Sequence, residues 1–144
     1  MLISTKGRYA LRVMLQLAEQ KQGDYTCLDV VANAQGISEK YLESIVGILS
    51  KAKLVEGLRG RGGGYRLNRA PGDYSVGEIL RVAEGSLVAV NCLGCKPNQC
   101  DRAADCLALP VWEKLDNLIN DYLDSVTLTD LLDQSRQHKP DGPD

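Results

Sequence analysis

The chain contains no phenylalanine, one tryptophan, one histidine and two methionines among 144 residues. A core without Phe must be mainly aliphatic, and the 44% apolar content is ordinary for a globular protein. The lone histidine, His138, stands in a polar, proline-containing tail, so no Ser–His or Cys–His nucleophile pair can form around it. The carboxylates of the C-terminal half read as solvated helix-face charges, and no G-x-x-x-x-G-K-S/T phosphate loop is present. An enzyme is therefore rejected. Long apolar runs are lacking as well. The opening stretch MLISTKGRYALRVMLQL mixes charge into its early turns, leaving neither a signal-peptide apolar region nor a membrane span. The expected location is the cytoplasm, with no membrane, where a structural disulfide framework is not expected.

The length suits one compact domain, or a small domain with an added dimerisation element. The net charge of −2 is unevenly divided. Residues 1–81 carry 12 Lys/Arg against 8 Asp/Glu, while residues 82–144 carry 5 against 11. From Lys51 to Arg69 there are six basic residues, opposed by Glu56 alone. A locally basic half can bind a polyanion although the whole protein is acidic.

Ser4 or Thr5 can cap a first helix with Ala10, Val13, Met14 and Leu17 on its apolar face. Thr26 and Asp29 read as a capping box opening a short helix with Leu28, Val31 and Ala32 inward. Gly36 makes a turn, and Ser38 caps a third helix bearing Leu42, Ile45, Val46 and Leu49. This succession reads as a helix-turn-helix. Leu54 to Leu58 and Tyr65 to Asn68 are strands joined by Arg59-Gly60-Arg61-Gly62-Gly63-Gly64, a hairpin with a flexible cationic tip, or wing. Ser75 and Glu78 form another capping box, on a helix with Val76, Ile79, Leu80 and Ala83 inward that ends at Gly85. Pro110 suits the first turn of a long helix. Val111, Leu115, Leu118 and Tyr122 repeat there at 4-3-4 spacing, with Trp112 and Ile119 widening the stripe, which predicts packing on a partner chain and hence a homodimer. Thr127 to Leu132 forms a last short helix, and from Gln134 the tail is expected to be disordered.

The fold class is thus mainly α with a small β-hairpin wing. Residues 1–85 are a winged helix-turn-helix domain, 86–109 a cysteine-rich sensor loop, 110–133 the dimerisation helix with a short terminal helix, and 134–144 a tail. In the major groove of double-stranded DNA, the third helix would present Ser38, Glu39, Lys40, Tyr41, Glu43 and Ser44. Glu43 suits a cytosine amino group, while Lys40 and the hydroxyls suit phosphates or base edges. The glycines let the wing backbone approach a narrow groove that Arg59 or Arg61 enters. Lys6, Arg8 and Tyr9 are placed to touch flanking phosphates.

Four of the five cysteines lie in one irregular stretch, Cys92, Cys95, Cys100 and Cys106, spaced C-x2-C-x4-C-x5-C. Three chemistries suit them. They are an iron–sulfur cluster on thiolates, a four-thiolate zinc site with one C-x2-C knuckle, and a metal-free thiol–disulfide switch. Cys27 reads as a small buried hydrophobe rather than a ligand.

The chain resembles the Rrf-type family of bacterial winged-helix transcriptional regulators, with its IscR-, CymR- and NsrR-like branches. The resemblance runs from Ser4-Thr5-Lys6-Gly7-Arg8-Tyr9-Ala10 to Thr127-Leu128-Thr129-Asp130-Leu131-Leu132. Its most specific pieces are Gly36-Ile37-Ser38-Glu39-Lys40-Tyr41-Leu42-Glu43, Arg59 to Leu67 and Val82-Ala83-Glu84-Gly85. It implies a homodimer crossed through its long C-terminal helices on a partly palindromic operator. Ser38, Lys40, Tyr41, Glu43 and Ser44 would then read the major groove, and Arg59, Gly60, Arg61, Gly63 and Tyr65 the minor groove.

The resemblance also implies a repressor of iron–sulfur or cysteine/sulfur metabolism genes. Cys92, Cys100 and Cys106 match the three ligands of the cluster-binding members; 2Fe–2S is favoured and 4Fe–4S is the alternative, and purified protein can lack the cluster. The borrowed fourth ligands are missing. Leu107, Ala108 and Leu109 stand where IscR-like members carry a histidine, and Arg8 stands where NsrR-like members carry an aspartate. Cys95 is the candidate in their place. CymR-like members instead act without metal, through a partner enzyme of cysteine biosynthesis.

Overall fold

Ser4 ends an extended approach by turning its hydroxyl to the Gly7 amide (3.1 Å), capping α1 (Thr5–Glu19). This pairs one of the N-terminal donors that a helix cannot satisfy itself. Ala10, Val13, Met14 and Leu17 then recur at the expected spacing, and all four are buried. The computed structural model describes residues 3–94 and 97–137.

The second helix does not start where the Thr26–Asp29 pattern predicts. α2 (Leu28–Gln35) has Cys27 as its N-cap, with no side-chain cap bond. Thr26 is buried and bridges Tyr65 through both backbone groups, N–H to O and O to N–H, each at 2.9 Å. Two backbone bonds to a distant strand outrank a local hydroxyl cap and move the helix start along by one residue. Gly36 follows in the left-handed region (φ 68), a conformation glycine adopts without Cβ strain. Its turn leads to α3 (Glu39–Lys51), where the Ser38 hydroxyl accepts from the Tyr41 amide at 3.1 Å.

β1 (Val55–Leu58) and β2 (Gly64–Leu67) pair antiparallel, Val55 opposite Leu67 and Leu58 opposite Gly64. Through Thr26 this hairpin joins the start of α2, so the wing is fastened to the helix-turn-helix. A 3-10 turn over Pro71–Asp73 leads to α4 (Val76–Glu84), capped by the Ser75 hydroxyl on the Glu78 amide (3.0 Å) and ended by Gly85. The Glu78 carboxylate does not complete a reciprocal box, because Arg69 holds it (2.9 Å).

The aliphatic faces of α1, α2 and α3 meet Leu54, Val55, Tyr74 and Ile79 in one core. A second cluster of Val76, Leu80 and Leu87 carries α5 (Leu109–Ser125) through Leu123. The chain then comes back. Val76 N–H donates to Val126 O (2.8 Å) and Leu128 N–H to Tyr74 O (3.2 Å). α6 (Leu128–Gln137) thereby inserts the fully buried Leu128 into the main core. Thr127 and Asp130 cap it reciprocally, at 3.1 and 2.9 Å. This helix runs past the expected end at Leu132, so residues 134–137 of the expected tail are helical. His138 and the rest of the tail lie outside the described residues. Among the described residues no helix is long and apolar enough to cross a membrane.

Candidate nucleic-acid interface and cysteine loop

At the start of α3, Ser38, Glu39, Lys40, Glu43 and Ser44 are exposed, as groove-reading positions must be. Ser44 donates its hydroxyl back along the helix to the Tyr41 carbonyl (2.6 Å). Tyr41 is half-buried and meets Tyr9 of α1 edge-on, with ring centroids 6.1 Å apart at 90°. That contact, with Arg12 over the other ring (5.2 Å), ties the start of α1 to the start of α3. Lys6 is half-buried beside Ala10, Ile45 and Leu49, whereas Arg8 is exposed and donates to the Thr5 hydroxyl (3.2 Å).

On the wing, Arg59, Gly60 and Arg61 are exposed. Neither arginine has a salt bridge or side-chain hydrogen-bond partner among the described residues. Gly63, expected at the groove, is instead buried: its amide donates to Gly60 O (3.1 Å) and its carbonyl accepts from Cys27 Sγ (3.3 Å). A Cβ there would overlap the Leu58 carbonyl, so this glycine lets the tip close. Tyr65 is half-buried, its ring against Gly57. Cys27 is exposed at the start of α2, not a buried hydrophobe, because the bridge at Thr26 holds it at the surface.

The six basic residues between Lys51 and Arg69 are not all available to a polyanion. Arg66 pairs with Glu56 directly across the strands (2.6 Å), stacks over Tyr25 (4.4 Å) and donates to Gly23 O (2.8 Å). Arg69 pairs with Glu78 (2.9 Å) and lies over the Tyr74 ring (4.3 Å). The hydrogen bonds to Glu56 and Glu78 hold these guanidiniums above their ordinary pKa. Lys51, Lys53, Arg59 and Arg61 are exposed and carry the remaining charge.

The α5 helix has two unlike faces. Val111, Leu115, Leu118 and Tyr122 are 59%, 41%, 55% and 66% exposed, so the centre of the predicted stripe faces outward, while Trp112 and Ile119 at its edges are half-buried. At 100° per residue, Asp116, Asn120 and Asp124 lie on the opposite side. Asp116 accepts from Ala89 N–H (2.9 Å), and Asn120 Nδ2 donates to Leu87 O (3.1 Å). Asp124 takes Arg81 of α4 on both oxygens, at 2.7 and 2.9 Å. The hydrogen bond from Arg81 holds the Asp124 carboxyl below its ordinary range, and the same contact raises Arg81. Asp116 and Asp124 therefore differ from the solvated carboxylates expected of this half. The i, i+4, i+8 recurrence of Asp-Asn-Asp is the signal that shows this face in hindsight. Glu84 is a further residue without a sequence-level role. Its carboxylate accepts from the Ser4 N–H (2.9 Å) and hydroxyl (2.6 Å), in the space left by buried Gly7.

Leu87 and Ala89 thus begin the cysteine loop pinned on α5, and Cys106 ends it, its carbonyl accepting from Leu109 N–H (3.3 Å) at the helix start. Cys92 and Cys106 are half-buried and Cys100 is exposed, all as free thiols. Cys95 lies outside the described residues. Asn98 caps the Cys100 amide with its carboxamide oxygen (2.9 Å) and leaves Nδ2 buried without a partner among the described residues. Cysteine thiols are the ligand type that an iron–sulfur group takes. The described residues do not gather three such ligands at one point.

The Rrf2 family, described as "Iron-dependent Transcriptional regulator", matches residues 3–134. A Neisseria meningitidis protein named as an HTH-type transcriptional regulator is 43% identical, over 93% of this chain and 89% of its own. The HTH-type transcriptional regulator IscR of Vibrio parahaemolyticus is 36% identical, over 92% of this chain and 77% of its own. Among solved structures, T. potens IscR superposes with a TM-score of 0.78 at 38% identity, covering 99% of this chain and 94% of that one. CymR, the global cysteine regulator of B. subtilis, has a TM-score of 0.77 at 36% identity, covering 93% and 98%. The chain belongs to the Rrf2 family of transcriptional regulators.

Proposed function

We propose that this regulator is a homodimer that represses iron–sulfur or cysteine/sulfur metabolism genes and senses through its cysteine loop. Residues 1–85 read a partly palindromic operator, 86–109 sense, and α5 joins two copies. The observation that carries the DNA reading is the pair of exposed arginines, Arg59 and Arg61, on a wing whose second strand is bonded to the helix-turn-helix through Thr26. Lys40, Glu43 and Ser44 enter the major groove beside it, while Tyr9 and Tyr41 brace the helix that carries them. Lys6 and Arg8 serve flanking phosphates, and Gly60 gives the wing its close approach. The outward apolar stripe of α5 supports the dimer.

An iron–sulfur cluster is the favoured occupant of the loop, where the thiolates of Cys92, Cys100 and Cys106 would hold it with Cys95 as fourth ligand; bound there, it would supply a centre sensitive to iron supply and oxidants. The loop's own residues set the consequence. Its start is pinned on α5 and its end opens that helix, so a change in its path alters how α5 sits on the winged helix. A coupling of about 1–3 kcal/mol would be ordinary for such regulation. Anaerobic purification followed by iron and sulfide analysis tests the occupant. Colourless protein with stoichiometric zinc, or with no metal, would sink the cluster.

The second reading is a metal-free regulator working through a cysteine-biosynthesis enzyme or a loop disulfide. It draws on the likeness to CymR, which is close to that to IscR. It wins if Cys100→Ala with Cys106→Ala leaves operator binding and its regulation unchanged while the enzyme alters them. DNA binding has a separate test, on duplexes enriched from a random pool. Replacing Arg59 and Arg61 by Ala should weaken binding and lower the log–log salt slope by about 2, since each phosphate neutralised contributes about 0.9. Unchanged affinity would mean that the wing does not touch DNA.

A further inference from the structure

Asn120 sits where three parts of the molecule meet. Its Oδ1 accepts from Arg81 Nη2 of α4 (2.9 Å). Its Nδ2 donates to Leu87 O at the start of the cysteine loop (3.1 Å) and to Asp116 O of its own helix (2.9 Å). The carboxamide is fully matched: two N–H donors meet two carbonyls, and the oxygen meets a guanidinium that can only donate. Arg81 itself grips Asp124 with both terminal nitrogens, and Gly77 of α4 leaves the space the Asp124 carboxylate fills. One turn back along α5, Asp116 holds Ala89 N–H (2.9 Å). Loop, α5 and α4 thus share one hydrogen-bonded seam.

The seam continues to the DNA side. Glu84, one turn beyond Arg81 at the end of α4, holds Ser4 at the cap of α1. The next turns of α1 carry Lys6, Arg8 and Tyr9, and Tyr9 packs against Tyr41 of α3. The links between elements are hydrogen bonds and one ring contact, and α4 and α1 themselves carry the path between them.

We propose that Asn120 is the latch through which the state of the cysteine loop sets the position of the winged helix: one carboxamide holds both Leu87 O at the start of the loop and Arg81 of α4. The proposal rests on the loop's being the sensor. Asn120 is here a positioning residue, touching neither DNA nor the thiols.

Two variants separate the two sides of the latch. Asn120→Asp removes both donors to the carbonyls and keeps an acceptor for Arg81. Asp124→Asn weakens the Arg81 grip and leaves the loop contact in place. The readout is the ratio of DNA affinities between the anaerobically iron–sulfur-reconstituted protein and the metal-free, reduced protein. In wild type a ratio between about 5 and 150 is expected for a coupled pair of sites. Each variant should lower it by about threefold or more, and the double variant should lower it little further, because both cut the same path. Urea unfolding of the metal-free proteins serves as the control, since a merely structural role would lower stability in both variants and leave the ratio alone. A ratio that survives in both variants overturns the latch and spares the sensing reading. A wild-type ratio of one overturns the sensing reading, and the latch with it.

Discussion

Tyr74→Phe removes one oxygen from the base of the wing, and the structure sets what that should do. The Tyr74 side chain is fully buried, and its hydroxyl donates to Leu54 O (2.7 Å), with Asn68 Oδ1 as a second acceptor at 2.9 Å. It also accepts from the Asn68 and Arg69 amides, both at 3.1 Å. Leu54 precedes β1, and Asn68 and Arg69 follow β2, so this hydroxyl staples both ends of the hairpin. Phenylalanine keeps the ring's burial and the Arg69 stack (4.3 Å). The change therefore isolates the hydroxyl. Losing about three hydrogen bonds, one buried and the others partly so, each worth about 0.5–1.5 kcal/mol net, should destabilise the protein by about 2–4 kcal/mol. With a urea m-value of about 2 kcal/mol/M, the unfolding midpoint should fall by about 1–2 M. Wild type and variant must be unfolded at one protein concentration, since association would couple to folding. Hydrogen exchange should locate the loss, with β1 and β2 amides opening before those of α1. A midpoint within about 0.2 M of wild type would mean that the hydroxyl does not staple the hairpin and that strand pairing alone holds the wing.

Gly64→Ala should be at least as severe: φ is +141 there and a Cβ would overlap the Thr26 carbonyl, so the expected result is loss of the Thr26–Tyr65 bridge, seen as rapid exchange at both amides. Leu118→Asp places a carboxylate in the exposed α5 stripe and should give a monomer in sedimentation equilibrium, with helical circular dichroism preserved. The Arg81–Asp124 pair makes a small acid-range contribution. Because the folded carboxyl lies below its ordinary value, that contribution is fully present above the unfolded pKa of about 3.9 and is lost as pH falls through the folded one. With side chains 37% and 48% exposed, it should be no more than about 1 kcal/mol, and Asp124→Asn should abolish that part of the acid titration of stability.

Local pattern alone determined much of this protein. The apolar faces of α1 and α3, the Ser38 and Ser75 caps, the glycine turn, the hairpin and the outward stripe of α5 each follow from residues within a few positions of one another, where helix and strand periodicity act directly. The Rrf2 membership was legible in the same segments. What tertiary structure alone decided is where local signals compete or where partners are far apart. Thr26 gives up its helix cap because Tyr65, 39 positions along, offers two backbone bonds at once. Six basic residues become four because cross-strand and helix neighbours claim Arg66 and Arg69. Cys27 stays at the surface although its residue type favours burial, and Gly63 leaves the surface although its neighbours stay there. The carboxylates of α5 divide into bound and solvated according to which face meets α4, a fact about docking between helices that no stretch of chain contains by itself. Hydrogen bonds and ion pairs of this kind depend on distances held to within a few tenths of an ångström between residues dozens of positions apart, and only the packed fold sets those distances.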